Sequence, residues 1–147
     1  MSEDHGFEIE FRLSVARTRA DVFALLIDTA RFRDVDAALV DVGPPGALAL
    51  GRSGWMRHRR GGMTARTTWT VAAFEPPGRL VVRIDGMGYA MTEEVILEAS
   101  GTGTTARFLE RVWPTSLPGR ILVALSGGVM RRDLRARAGR LRQLLDA

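Results

Sequence analysis

The chain opens with a strict alternation of apolar and polar residues. From Phe7 to Val15 every second side chain is apolar, and the residues between are charged or carry a hydroxyl. Because neighbouring side chains of a strand point to opposite faces, this pattern predicts a half-buried antiparallel β-strand.

Two short helical segments are predicted directly after this strand. Thr18, followed three residues later by Asp21, resembles a capping box at a helix start. A second segment is predicted over Thr29 to Asp34. The apolar side of the first helix consists of Val22, Phe23, Leu25 and Leu26.

The middle of the chain alternates apolar runs with glycine and proline turns, which is typical of an antiparallel sheet. Gly61-Gly62 predicts a two-residue hairpin turn. Counting the first strand, the sequence predicts seven. The other six are Ala37 to Val42, Arg52 to Arg59, Met63 to Phe74, Leu80 to Asp85, Tyr89 to Ala99, and Gly103 to Pro114.

A long helix is predicted from near Ser116 or Leu117 to the end of the chain, with Pro118 in its first turn. A terminal helix after a sheet can bury its apolar stripe across one sheet face, which encloses a cavity or a core. The stripe, at steps of three and four residues, is Val123, Gly127, Met130, Leu134, Ala138, Leu141 and Leu145.

The first half of this helix is apolar on another side too. The rim of a cavity, the two small helices, a second subunit or a lipid-like molecule could cover that side. We expect cover from within the chain, because burial in the core is the commoner fate of apolar faces. The side consists of Ile121, Leu122, Leu125 and Val129.

Composition narrows the function classes. The chain has no cysteine and two distant histidines, His5 and His58, which argues against disulfides and against a bound metal. The N-terminal residues MSEDHG are acidic and polar, and no apolar run approaches a membrane span, so we expect a cytoplasmic protein.

Positive charge is concentrated on the terminal helix. All 21 basic residues are arginine, and the net charge is only +4. A solvated helix face is the ordinary interpretation, and contact with RNA or an anionic surface is the alternative. The cluster, opposed there by Asp133 alone, is Arg131, Arg132, Arg135, Arg137, Arg140 and Arg142.

Three segments resemble a known superfamily: VARTRADVFALLIDTARF from Val15, VAAFEPPGRL from Val71 and SGTGTTARFLERV from Ser100. The chain resembles the START-like or Bet v 1-like (SRPBCC) superfamily, in its polyketide cyclase/dehydrase and coenzyme-Q-binding-like branch. The resemblance implies an α+β helix-grip fold, in which a seven-stranded antiparallel sheet with two short helices after the first strand wraps around a long C-terminal helix. It also implies one ligand-binding domain over residues 1–147.

Strand parity predicts which side chains face the helix. With Trp69 inward, Thr67 is inward too, and a turn at Gly61-Gly62 pairs Met56 with Thr67 and His58 with Ala65. Such a lining suits a flat or lipid-like molecule, although the same residues could fill a core. The predicted ligand-binding residues are Met56, His58, Thr67, Trp69, Tyr89, Met91, Glu93, Phe108, Glu110, Leu122 and Met130.

Three functions remain open. The first is binding of a small hydrophobic molecule, by a monomer or homodimer and without an inferred cofactor. The second is a cofactor-independent cyclase or dehydratase that uses Glu93 or Glu110 as base, His58 as acid and Tyr89 to orient a carbonyl. The third is a toxin-like or regulatory module that contacts RNA or the ribosome through the Arg cluster.

Overall fold

A computed structural model of the protein describes residues 5–146, which form one antiparallel sheet, two short helices and a long terminal helix. The strands lie in the order β1, β7, β6, β5, β4, β3, β2. They are β1 Phe7–Val15, β2 Leu39–Gly43, β3 Ser53–Arg60, β4 Met63–Glu75, β5 Arg79–Asp85, β6 Tyr89–Ser100 and β7 Gly103–Pro114. The helices are α1 Arg19–Ile27, α2 Phe32–Val35 and α3 Leu117–Asp146, with a 3-10 turn at Thr29–Arg31. The predicted helix-grip fold is confirmed.

The local chemistry of the chain explains where these elements begin. The Thr18 hydroxyl accepts a hydrogen bond from the Asp21 amide and caps α1, as the sequence predicted. Gly61 and Gly62 have φ of 57° and 80°, the left-handed conformation that a tight two-residue hairpin requires. This turn pairs Met56 with Thr67, as predicted, and thereby sets the register of the β3–β4 hairpin.

The side of the sheet that packs against α3, here called the inner face, carries the core. Trp69, Val71 and Leu97 are each at most 2% exposed and belong to one apolar cluster with residues of α3. Five positions of the predicted helix stripe are buried, namely Val123, Leu134, Ala138, Leu141 and Leu145. The helix contacts mainly β1 and β7, so the predicted grip runs along that side of the sheet.

The expectation of intramolecular cover for the second apolar side of α3 is wrong. Ile121 is 67% exposed, Leu122 47%, Leu125 77% and Val129 44%. These side chains point away from the stripe, and neither short helix lies over them: α2 packs against α3 nearer its C-terminal half, where Asp34 and Arg140 border one depression. No helix within residues 5–146 is long and apolar enough to cross a bilayer.

Candidate functional site

Two glutamates lie opposite each other in the middle of the inner face. Glu93 on β6 pairs with Glu110 on β7, and the same transverse row continues to Val82 on β5 and Ile9 on β1. Paired residues on adjacent strands point to the same side, so both carboxyl groups extend toward α3. The side chain of Glu110 is 1% exposed and that of Glu93 is 27% exposed.

Arg137 of α3 bridges these two carboxyl groups. Its Nη1 donates a hydrogen bond to Glu93 Oε1 over 2.7 Å, and its Nη2 donates to Glu110 Oε1. The other oxygen of Glu110, Oε2, is buried and has no hydrogen-bond partner within residues 5–146. A single guanidinium therefore connects the terminal helix to two neighbouring strands.

Burial and neighbouring charges shift the pKa values of the two carboxyl groups in opposite directions. Burial, reinforced by the charge of Glu93, raises the pKa of Glu110 to about 9 against the opposing effect of Arg137. Burial also acts against ionisation of Glu93, but the Arg137 charge outweighs it and lowers the Glu93 pKa. Arg137 is itself buried, yet its two partners raise its pKa. At neutral pH the triad therefore holds an anionic Glu93, a protonated Glu110 and a cationic Arg137.

A second pair, Asp36 and His58, lies beside this triad. Asp36 follows α2 and its Oδ2 lies 3.0 Å from His58 Nε2 on β3. Burial opposes ionisation of Asp36, but the hydrogen bond and charge of His58, together with the Arg137 charge, lower its pKa. Because the charge of Asp36 also acts on Glu93 and Arg137, the five side chains form one electrostatic cluster.

Two neutral hydroxyl groups lie elsewhere on the inner face. Thr67 Oγ1 on β4 is buried without a partner within residues 5–146. The Tyr89 ring lies over Gly86, where any Cβ would overlap it, so a glycine is needed there for the ring to occupy this place. Burial raises the pKa of Tyr89, which is therefore an uncharged phenol at neutral pH. The nearby Arg60 is paired with Asp133 of α3 at 3.1 Å.

Nine of the eleven predicted ligand-binding residues share the inner face through the observed pairing. Met130 is half-buried at the edge of the α3 stripe, whereas Leu122 is 47% exposed on the uncovered side of the helix. For all eleven residues, contact with a ligand stays a prediction. The nine are Met56, His58, Thr67, Trp69, Tyr89, Met91, Glu93, Phe108 and Glu110.

The four proposed acid–base residues are not all joined. Glu93 and Glu110 meet at Arg137, whereas His58 hydrogen-bonds to Asp36. Within residues 5–146, Tyr89 makes no hydrogen bond to any of them. Arg137 and Asp36 were missed as site residues. The signal for Arg137 is its spacing: it lies three residues after Leu134 and four before Leu141, on the edge of the buried stripe.

Arg137 also changes the interpretation of the Arg cluster. It points into the protein rather than to solvent, so it is not available to a surface partner. On the outward side of β3, the Arg66 guanidinium lies 5.4 Å from the Trp55 ring, and Arg57 is paired with Asp41 at 3.1 Å. The RNA or ribosome hypothesis stays a prediction that rests on the remaining arginines.

Two depressions border the C-terminal half of α3. One, of about 540 Å³, is lined by residues that include Asp34, Gly139 and Gln143. The other, of about 270 Å³, lies between α1 and the helix end and includes Ala24 and Leu145. Neither depression contains the predicted inner-face residues, so they are separate from the electrostatic cluster.

Comparison with known proteins agrees with this geometry. A family model described as polyketide cyclase/dehydrase and lipid transport matches residues 7–146. None of the curated proteins matches the chain in sequence. The predicted resemblance to the START-like or Bet v 1-like superfamily is confirmed.

Solved structures show the same fold at low sequence identity. A protein of Chromobacterium violaceum is similar with a TM-score of 0.76 and 12% identity, over 95% of this chain and 97% of that one. A Mycobacterium smegmatis protein has a TM-score of 0.73 and 13% identity over 95% and 91%. Ara h 8.0201 has a TM-score of 0.72 and 12% identity over 95% and 97%.

Proposed function

We propose that this chain, which belongs to the polyketide cyclase/dehydrase and lipid transport family, binds a small hydrophobic molecule between the inner face and α3. Family membership supports the general class of a hydrophobic-ligand-binding domain. The aromatic, polyketide-like, quinone or lipid identity of the molecule is part of the proposal. So are a cytoplasmic location and a single domain over residues 1–147.

The observation that carries this proposal is incomplete burial of the inner face. Met56, Val82, Tyr89 and Phe108 point toward the helix side of the sheet, yet all four are only half-buried. In a fully packed core such side chains would be shielded from water, because interiors leave few voids. Their exposure supports an opening between sheet and helix that an apolar molecule would fill.

A matched pair of valines on β5 tests the location. Val82 lies on the inner face and Val81 on the opposite one, so Val82→Phe adds volume where the ligand would lie and Val81→Phe adds it outside. We expect Val82→Phe to weaken binding of an apolar fluorescent dye about tenfold and Val81→Phe to leave it unchanged. Native mass spectrometry of detergent-free protein identifies any copurified molecule. Equal dye binding by both variants, or no binding of any apolar probe, contradicts the proposal.

The adjacent carboxyl groups favour a second candidate function. Glu93 and Glu110 are paired on the inner face, and one holds a proton while the other is ionised. In a cyclase or dehydratase, the Glu93 carboxylate would take a proton from carbon next to a carbonyl, and Glu110 would give its proton to the carbonyl oxygen, which forms an enol. His58 is less suited to be the acid, since Asp36 occupies its Nε2.

Deuterium exchange tests this enzyme hypothesis separately from binding. The protein in D₂O should speed exchange at the central carbon of a β-diketone, and Glu93→Gln should abolish the acceleration. Glu98→Gln, an exposed position on the same strand, serves as the control. Exchange that is no faster than in buffer, with the diketone demonstrably bound, excludes catalysis by this pair.

A further inference from the structure

The charged side chains gathered between the sheet and α3 already satisfy one another. Both terminal nitrogens of Arg137 are taken by carboxyl groups, one from Glu93 and one from Glu110. Arg60 is paired with Asp133 at 3.1 Å. Since a guanidinium binds a carboxylate best through two parallel hydrogen bonds, an anionic ligand would compete with these protein carboxyl groups for Arg137.

The local balance of charge also opposes an anion. Around Arg137 lie the carboxyl groups of Glu93, Glu110 and Asp36, whereas His58 is the one further basic side chain in that cluster. A ligand carboxylate in this surrounding would be desolvated and would face carboxylate neighbours. Moving such a charge out of water without a free partner is strongly unfavourable.

Apart from Glu110 Oε2, the polar groups that remain available on the inner face are neutral hydroxyls. Neither Thr67 nor Tyr89 has a hydrogen-bond partner for its hydroxyl in the part of the chain that is described, and Thr67 Oγ1 is fully buried. Each lies next to the row in which Thr68, Asp85 and Ala90 are paired, and the Tyr89 ring lies across Gly86 in the turn between β5 and β6. A buried hydroxyl without a partner loses free energy that a ligand oxygen would restore.

We infer that the bound molecule is uncharged and presents a carbonyl or hydroxyl oxygen to the hydroxyls of Thr67 and Tyr89, so that carboxylates of similar size are rejected. This inference rests on the proposed ligand-binding function and specifies the ligand class for that same site. Quinones, phenols, ketones and fatty alcohols satisfy it, and fatty acids do not.

Calorimetric titration near neutral pH with matched probes tests the inference in the unmodified protein. The aromatic probes are naphthoquinone, naphthol, naphthoate and naphthalene, and the aliphatic pair is decanol and decanoate. We expect each neutral oxygenated probe to bind at least about tenfold more tightly than its carboxylate counterpart. Carboxylates that bind as tightly or more tightly overturn the inference while leaving the proposed function intact. If none of the probes binds, the proposed function itself fails.

Two sets of variants assign the effect to residues. Glu93→Gln removes the negative charge beside Arg137, so it should strengthen carboxylate binding. It should thereby narrow the preference for neutral probes over carboxylates at least about fivefold, whereas the exposed Glu98→Gln should not. Thr67→Val should weaken naphthol and naphthoquinone binding several-fold without changing naphthalene binding, and the outward-facing Thr68→Val should change neither. A preference that is insensitive to both inner-face variants contradicts the roles assigned here.

Discussion

Glu110→Gln should stabilise the protein at alkaline pH, because Glu110 is held protonated in the folded state. Its pKa rises from the ordinary 4.5 to about 9, and burial is the main cause. The unfolded chain releases this proton above about pH 5, while the folded chain keeps it until about pH 9. The folded state thus binds more protons over this range, so its stability must fall as the pH rises.

The size of this effect follows from proton linkage. A full proton difference changes the free energy of unfolding by about 1.4 kcal/mol per pH unit, so the wild type should lose up to about 3 kcal/mol between pH 6 and pH 8. Glutamine has the shape of the protonated acid and keeps an oxygen that accepts the hydrogen bond from Arg137. It does not titrate, so the variant should lack this loss.

Urea unfolding followed by circular dichroism at several pH values between about pH 5 and pH 9 measures the difference. The free energy of unfolding of Glu110→Gln relative to wild type should rise steadily with pH, and the exposed Glu98→Gln should run parallel to wild type. A variant that is destabilised equally at every pH would show that Glu110 is ionised in the folded state, which would refute the charge assignment of the triad.

Glu93 affects stability in the opposite direction. Its pKa is lowered, so its stabilising contribution is lost only as the pH falls below about 4.5.

Two matched pairs on α3 give further predictions for chemical denaturation. Leu141 is 2% exposed, so Leu141→Ala should lower the free energy of unfolding by about 2–5 kcal/mol. Leu125 is 77% exposed, so Leu125→Ala should change it by less than about 0.5 kcal/mol. Similar losses at both positions would mean that the exposed side of α3 is covered in solution. Gly119→Ala should destabilise the protein because the added Cβ overlaps the carbonyl oxygen of Gly88. The Cβ added by Gly127→Ala meets no atom within 4 Å, so this variant should stabilise the helix by up to about 1 kcal/mol. A stabilising Gly119→Ala would contradict the close approach of the β5–β6 turn to α3.

The register of the sheet was predictable because local rules determine it. The two glycines at positions 61 and 62 permit a two-residue turn, and that turn alone sets Met56 opposite Thr67. Strict alternation along β6 and β7 then places Glu93 and Glu110 on the same side as the apolar residues. Their direct pairing follows from the short turn after β6, where Ser100 pairs with Gly103.

The partners of these residues were not predictable, because contacts between distant elements leave weak local signals. Arg137 was counted among solvated arginines, since helices commonly expose such residues, and its two carboxyl partners lie 44 and 27 residues away. Asp36 lies in the connection after α2, where the sequence pattern does not predict the direction in which a side chain points. The exposed side of Leu125 was misjudged for a related reason: a general preference for burial does not say which element is near enough to provide it.

The claim that a ligand lies between the inner face and α3 is tested most directly by backbone amide NMR during titration with naphthol. If the ligand binds there, the largest shift changes should occur at inner-face residues such as Thr67, Tyr89 and Phe108. Changes confined to the depression at Gly139 and Gln143 would contradict this claim, because the molecule would then bind outside the space between sheet and helix.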